Sequence, residues 1–230
     1  MSADLGARRR VEVVLFDIDG TLISTGGASD RAWGRAFREL YDLEVHVGDY
    51  TGKGVTDPEV GLASFRGALG REPEPREMAS LMALRLRYLP SEVAGSPGYR
   101  VMSGAEALLQ ALSAEGRLLG LITGNLEAAA HIKLARAGLN HFFTFGGYGS
   151  DADRRVDVAR VALERAERVS GGSLDRDSCL AVGDTPHDID AAHGVGIRVV
   201  GVATGEYGTE ELLEAGADFA IASLEEGLPL

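Results

Sequence analysis

Hydrophobic and polar positions divide the chain into two regimes. Residues 11–16 form an apolar run rich in Val, the pattern of a buried strand. From residue 24 to 98 only helical spacing appears. Trp33, Ala36, Phe37 and Leu40 share one face, with Ser29 or Asp30 as a cap. Val60, Leu62, Phe65 and Leu69 share another, behind Asp57-Pro58 as N-cap and first turn. A third helix is expected over 75–89, and the Pro- and Gly-rich stretch 90–99 reads as a linker.

Beyond residue 99 the pattern alternates. Helices are expected over 105–115, 126–137, 153–169, 189–193 and 209–215. Strands are expected over 118–122, 142–145, 178–182, 197–202 and 218–221. Strands alternating with helices predict an α/β fold with a doubly wound, mostly parallel sheet. The core domain is then 1–23 with 99–230, and 24–98 is a helical cap domain inserted into it.

Composition narrows the class. The 230 residues are 45% hydrophobic, enough for a sizeable core. A formal net charge of -12 argues against nonspecific nucleic-acid binding and against adhesion to anionic membranes. It also means that any phosphate site must be locally positive. The one cysteine, Cys179, lies in an apolar run and reads as core. The first ten residues carry an Arg cluster with no apolar signal region behind it, so the Arg residues read as a solvated lead-in. No apolar run reaches a membrane span, and a cytoplasmic location is expected.

The chemistry begins where the first strand ends, at Asp17-Ile18-Asp19-Gly20-Thr21. Side chains two apart on an extended backbone share a face, so Asp17 and Asp19 project together, and Gly20 lets the chain turn. Two carboxylates this close repel, so either one keeps a proton or a cation sits nearby. A plain polar turn and a calcium loop are the alternatives. The calcium loop fits poorly, because Gly follows the second Asp directly and a strand precedes it. Two more strands end in polar, glycine-containing segments, Thr123-Gly124-Asn125 and Gly183-Asp184-Thr185-Pro186-His187-Asp188. Ligands bind beyond the carboxyl ends of parallel strands. The Thr123 hydroxyl and Gly124 N–H suit anionic oxygens, with Asn125 completing that turn. Asp17, Asp184 and Asp188 make an oxygen-rich site suited to magnesium.

In this order, the three segments resemble the haloacid dehalogenase superfamily, and within it the phosphoglycolate-phosphatase-like branch. The resemblance covers nearly the whole chain and implies a Rossmann-like core with an α-helical cap. It implies Asp17 as nucleophile, Asp19 as general acid and then base, and Thr123 as phosphate binder. It further implies Asp184 as a Mg2+ ligand beside Asp17 and the Asp19 backbone carbonyl, with Asp188 in support. The carboxylate at Asp19 separates the chain from true dehalogenases and from phosphonate hydrolases. The family also expects a Lys or Arg between the second and last segments, but its usual Lys-Pro signature is absent. Arg154 and Arg155 are the candidates; Arg154 is favoured for its Asp-Arg pairing, and helix register allows either.

The glycine-flanked Lys53 is the candidate for reaching over the site from the cap, with Gly52 and Thr56 beside it. His187 lies inside the last segment without an assigned role, as do His131, His141 and His193 elsewhere. The expected function is a magnesium-dependent phosphatase for a small phosphorylated metabolite such as 2-phosphoglycolate, working as a monomer or homodimer. The competitors are a phosphosugar mutase of the same superfamily and an inactive protein that binds metal or phosphate.

Overall fold

The computed structural model describes residues 11–230, so the Arg-rich lead-in lies outside the described residues. Strand β1 (Val13–Phe16) is fully buried and sits at the centre of a six-stranded sheet. Its neighbours are β4 (Leu118–Ile122) and β6 (Cys179–Gly183), with Val13 aligned to Leu118 on one side and Cys179 on the other. The sheet continues to β5 (Phe145–Gly147) at one edge, and through β7 (Arg198–Val202) to β8 (Phe219–Ile221) at the other. All of these pairings are parallel.

Alternation along β1 explains the double winding. Val14 and Phe16 face one core, shared with Leu109 of α4 (Ala105–Ala114) and Leu134 of α5 (Glu127–Ala135). Val13 and Leu15 face the other. That core holds Val158 of α6 (Arg155–Ser170), Ile189 of α7 (Pro186–Gly194) and Leu212 of α8 (Thr209–Glu214). A sheet buried on both faces needs continuous apolar strands, which is the pattern that the sequence carries.

Between β1 and α4 the chain forms three α-helices: α1 (Ala28–Tyr41), α2 (Asp57–Leu69) and α3 (Pro75–Gly95). They enclose a separate cluster built on Trp33, Phe37, Phe65 and Leu81. A smaller cluster joins Ala28, Ala32, Leu89 and Val93 to Ala129 of α5, so the inserted helices also pack on the sheet side. Among the described residues no helix is long and apolar enough to cross a membrane.

Four elements depart from the sequence pattern. Helix α3 runs through Pro90 to Gly95 instead of stopping at residue 89. Proline removes one helical donor, but Leu89 and Val93 on either side are buried, each a gain of roughly 1.5–3 kcal/mol. The two-residue strands β2 (Ile23–Ser24) and β3 (Arg100–Val101) pair antiparallel where the chain enters and leaves the inserted helices. They are too short to show periodicity. The strand expected over 142–145 lies later, at β5, and consists largely of glycine. A Cβ on Gly147 would stand 2.1 Å from the Val158 carbonyl oxygen, so close packing of α6 selects glycine there against strand propensity.

Candidate active site

Asp17 follows β1 directly, its N–H still donating to the Val182 carbonyl of β6 at 2.9 Å. The chain then turns. Gly20 has a φ of +91°, and a Cβ there would lie 2.2 Å from Asp184 Oδ2, so conformation and space both demand glycine. The Thr204 hydroxyl holds the turn by donating to the Gly20 carbonyl at 2.6 Å. Thr21 donates to Asp184 Oδ1 at 3.0 Å.

At the end of β6, Thr185 caps α7 and Asp188 completes a capping box, accepting from the Thr185 N–H at 3.1 Å and its hydroxyl at 2.8 Å. This box aims Asp188 back toward β1. Carboxylate oxygens of Asp17, Asp184 and Asp188 lie within 4.8 Å of one another, all three side chains buried. Arg155 meets two of them. Its guanidinium donates to Asp17 Oδ1 at 3.3 Å and to Asp188 Oδ1.

Arg155 corrects the expectation placed on Arg154. Residue 154 is the N-cap of α6, with an extended backbone and an exposed side chain. Residue 155 is the first helical position. Side chains of a first turn lean back past the helix N-terminus, which here faces the sheet's carboxyl edge.

The cluster carries an excess of negative charge. Burial, then repulsion from Asp188, pushes the Asp17 carboxyl up to about 7 against the opposing pull of Arg155. Burial, then Asp188 and Asp17, raises Asp184 to about 8. Three hard carboxylates against one guanidinium fit a divalent cation. Asp188 already spends both oxygens on Arg155 and Thr185. Asp17 and Asp184 each keep an oxygen outside these bonds and could ligate it.

Asp19 has a different environment. Its Oδ2 accepts from Lys133 Nζ at 2.6 Å and from Asn125 Nδ2 at 2.7 Å, and its side chain is 40% exposed toward the pocket. Enclosure works to raise this carboxyl. The Lys133 charge and the hydrogen bonds from Asn125 and Lys133 outweigh it, and Asp19 is held below the usual carboxylate value. Asn125 also donates to Thr123 Oγ1 at 2.8 Å. Thr123 is fully buried after β4, its N–H donating to Gly147 O at 3.1 Å. Gly124 lies under the inserted helices, where a Cβ would meet the Val55 carbonyl at 2.3 Å.

Asp17, Asp19, Thr123, Gly124, Asn125, Lys133, Arg155 and Asp184 line a cavity of about 480 Å³ between sheet and inserted helices. Lys53 stands at its rim, exposed, in an ion pair of 2.6 Å with Glu206 from the loop after β7. The structure therefore brings Asp17, Asp19, Thr123, Gly124, Asn125, Asp184 and Asp188 together, leaves Lys53 at the mouth, and keeps Arg154 outside. His187 is exposed against the same inserted loop, close to Gly54.

Lys133 was missed by sequence reasoning. The available signal is its place on the buried stripe of α5, with Ala129, Ala130 and Leu134. A lysine on such a stripe needs a partner.

Comparison with known proteins names the family to which this fold and site belong. A model of the haloacid dehalogenase-like hydrolases matches residues 11–196, and the chain belongs to that family. It is 32% identical over 215 residues to a phosphoglycolate phosphatase of Rhodospirillum rubrum, covering 90% of this chain and 85% of that one. Among solved structures it resembles CbbY from Rhodobacter sphaeroides in complex with phosphate. That match has a TM-score of 0.74 at 20% identity, over 94% of this chain and 96% of CbbY. The β-phosphoglucomutase of Clostridium difficile is similar too, with a TM-score of 0.73 at 16% identity over 95% and 94% of the two chains. At such identities the structural likeness establishes the shared fold.

Proposed function

We propose that the chain is a magnesium-dependent phosphatase acting on a small phosphomonoester of the phosphoglycolate kind, through a phosphorylated Asp17. The observation that carries this reading is the opposite treatment of two neighbouring carboxylates. Asp17 sits in the buried acidic cluster with Arg155, whereas Asp19 is turned away onto Lys133 and Asn125. Paired acids in divergent environments are the mark of divided chemical roles. The phosphatase relative of Rhodospirillum rubrum supports the substrate class.

In this reading Asp17 attacks phosphorus in line with the leaving oxygen. The new bond joins an Asp17 oxygen to phosphorus as the ester bond breaks, and Asp19, ionised in the free site and protonated as the anionic ester enters, hands that proton to the departing alkoxide. Water then attacks the aspartyl-phosphate. Asp19 takes the proton from that water, the acyl-phosphate bond breaks, and Asp17 is regenerated with release of phosphate. Thr123, the Gly124 N–H and Arg155 hold the phosphoryl oxygens and share their charge. Magnesium, held by Asp17 and Asp184, would supply further charge neutralisation at the phosphoryl group. Residues 24–98 act as the cap, which keeps bulk water from the first step.

The test is phosphate release from a panel of small phosphomonoesters headed by 2-phosphoglycolate, with magnesium and with chelator, for wild type and Asp17→Asn. Metal-dependent release that Asp17→Asn abolishes is the expected result. Transfer from a sugar bisphosphate with little free phosphate would replace it with a mutase. Phosphate binding with no turnover would leave a binding protein.

A further inference from the structure

Lys133 is 3% exposed on a helix face otherwise made of alanine and leucine. Nothing about stability calls for it. Buried ion pairs are often matched or bettered by apolar residues of similar volume. Its contacts point inward to the chemistry. Nζ donates to Asp19 Oδ2 and to Asn125 Oδ1, each at 2.6 Å. An ammonium has no acceptor, so the Asn125 oxygen must face Lys133, and the Asn125 amide nitrogen then faces Asp19 and Thr123. Both bonds to Asp19 fall on the same oxygen, Oδ2, and Oδ1 takes neither.

We propose that Lys133 is a positioning residue for the reaction. It clamps Asp19 by Oδ2, sets the Asn125 amide, and so presents Asp19 Oδ1 as the atom that exchanges a proton with the leaving oxygen. This rests on the reading of Asp19 as acid and base. With Lys133 gone, Asn125 alone holds the Asp19 side chain and is itself free to flip. The phosphoryl-binding groups Thr123, Gly124 and Arg155 make no hydrogen bond to Lys133, so substrate binding is expected to survive.

The experiment uses two esters. Loss of an alkoxide, as from 2-phosphoglycolate, needs a well-placed acid. Loss of nitrophenolate from p-nitrophenyl phosphate does not. Lys133→Met is expected to slow single-turnover cleavage of the best alkyl phosphate by ~10²-fold with KM little changed. The nitrophenolate burst should persist. In the double variant with Asp19→Asn, Lys133→Met should add almost no further loss, since both act through one side chain. Lys133→Arg should recover part of the alkyl rate. Circular dichroism and thermal unfolding check each fold. Should Lys133→Met not fold, Lys133→Gln, which keeps an amide donor, carries the same comparison. Equal slowing of both esters, or losses that multiply with Asp19→Asn, would overturn the assignment. Wild type that cleaves neither ester, or Asp17→Asn that still cleaves them, would remove the phosphatase reading and the role of Lys133 with it. Failure of the lysine assignment alone would leave wild-type turnover intact.

Discussion

Asp57 at the start of α2 and Arg85 in the middle of α3 form a buried ion pair at 2.7 Å, with Arg85 fully shielded from solvent. The pair does more than join two helices. Asp57 Oδ2 also accepts the Leu126 N–H at 2.7 Å, and the Asp57 N–H donates to the Gly124 carbonyl at the same distance. The inserted helices are thereby tied to the backbone of the turn that carries Thr123. Removing one partner leaves a buried charge uncompensated. Asp57→Ala is expected to cost roughly 3–5 kcal/mol in urea unfolding. Arg85→Met combined with Asp57→Asn should recover most of it, because the uncompensated guanidinium is gone and the Leu126 donor keeps an acceptor. Equal losses in the single and double variants would refute the pairing as the cause.

The acidic cluster makes stability depend on pH in a definite direction. Asp17 and Asp184 rise from an ordinary 3.8 to about 7 and about 8. The folded chain therefore keeps protons that the unfolded chain releases. The contribution is fully present below about pH 4 and is lost as pH climbs toward 8. Each retained proton corresponds to about 1.4 kcal/mol per pH unit at most, or about 3–6 °C in Tm for a chain of this size. Metal-free protein should thus lose Tm across this window, and saturating magnesium should flatten the slope by taking the protons' place. A slope that magnesium leaves unchanged would place the ion elsewhere.

Arg154 and Arg155 give a sharp contrast between adjacent residues. Arg155→Met removes the counter-charge of Asp17 and Asp188 and, on the proposed mechanism, phosphoryl charge stabilisation with it. A fall in kcat of roughly 10²–10³-fold is expected. Arg154→Met touches an exposed N-cap and should stay within about threefold of wild type. Steady-state kinetics of the two variants decide it, and the reverse ranking would reinstate Arg154.

Lys53 should act on substrate rather than on stability. Its pairing with Glu206 lies in solvent on both sides, where such pairs contribute little. Lys53→Met is expected to raise KM severalfold for the natural substrate and to leave Tm unchanged. Hydrolysis of p-nitrophenyl phosphate should be little affected. Unchanged kinetics on the natural substrate would confine Lys53 to the surface.

Much was legible in the sequence because it was local. Period and run length disclosed the alternating strands and helices. The Asp17-Ile18-Asp19-Gly20-Thr21 segment announced its own geometry, since two carboxylates two residues apart on a strand must share a face. The turns at Thr123 and Asp184 were visible for the same reason, each being a polar break at the end of an apolar run. What tertiary structure decided is the pairing of charges across elements. Lys133, Arg85 and Arg155 are basic residues on helices, and a helix alone does not state which of its faces is buried against what. Only the packing of α5 on the sheet turned Lys133 toward Asp19, a separation of 114 residues. Only the start of α6 at residue 155, rather than one residue earlier, chose between two arginines. Periodicity names a face, whereas electrostatic partnership depends on which atoms the whole fold brings within hydrogen-bond reach.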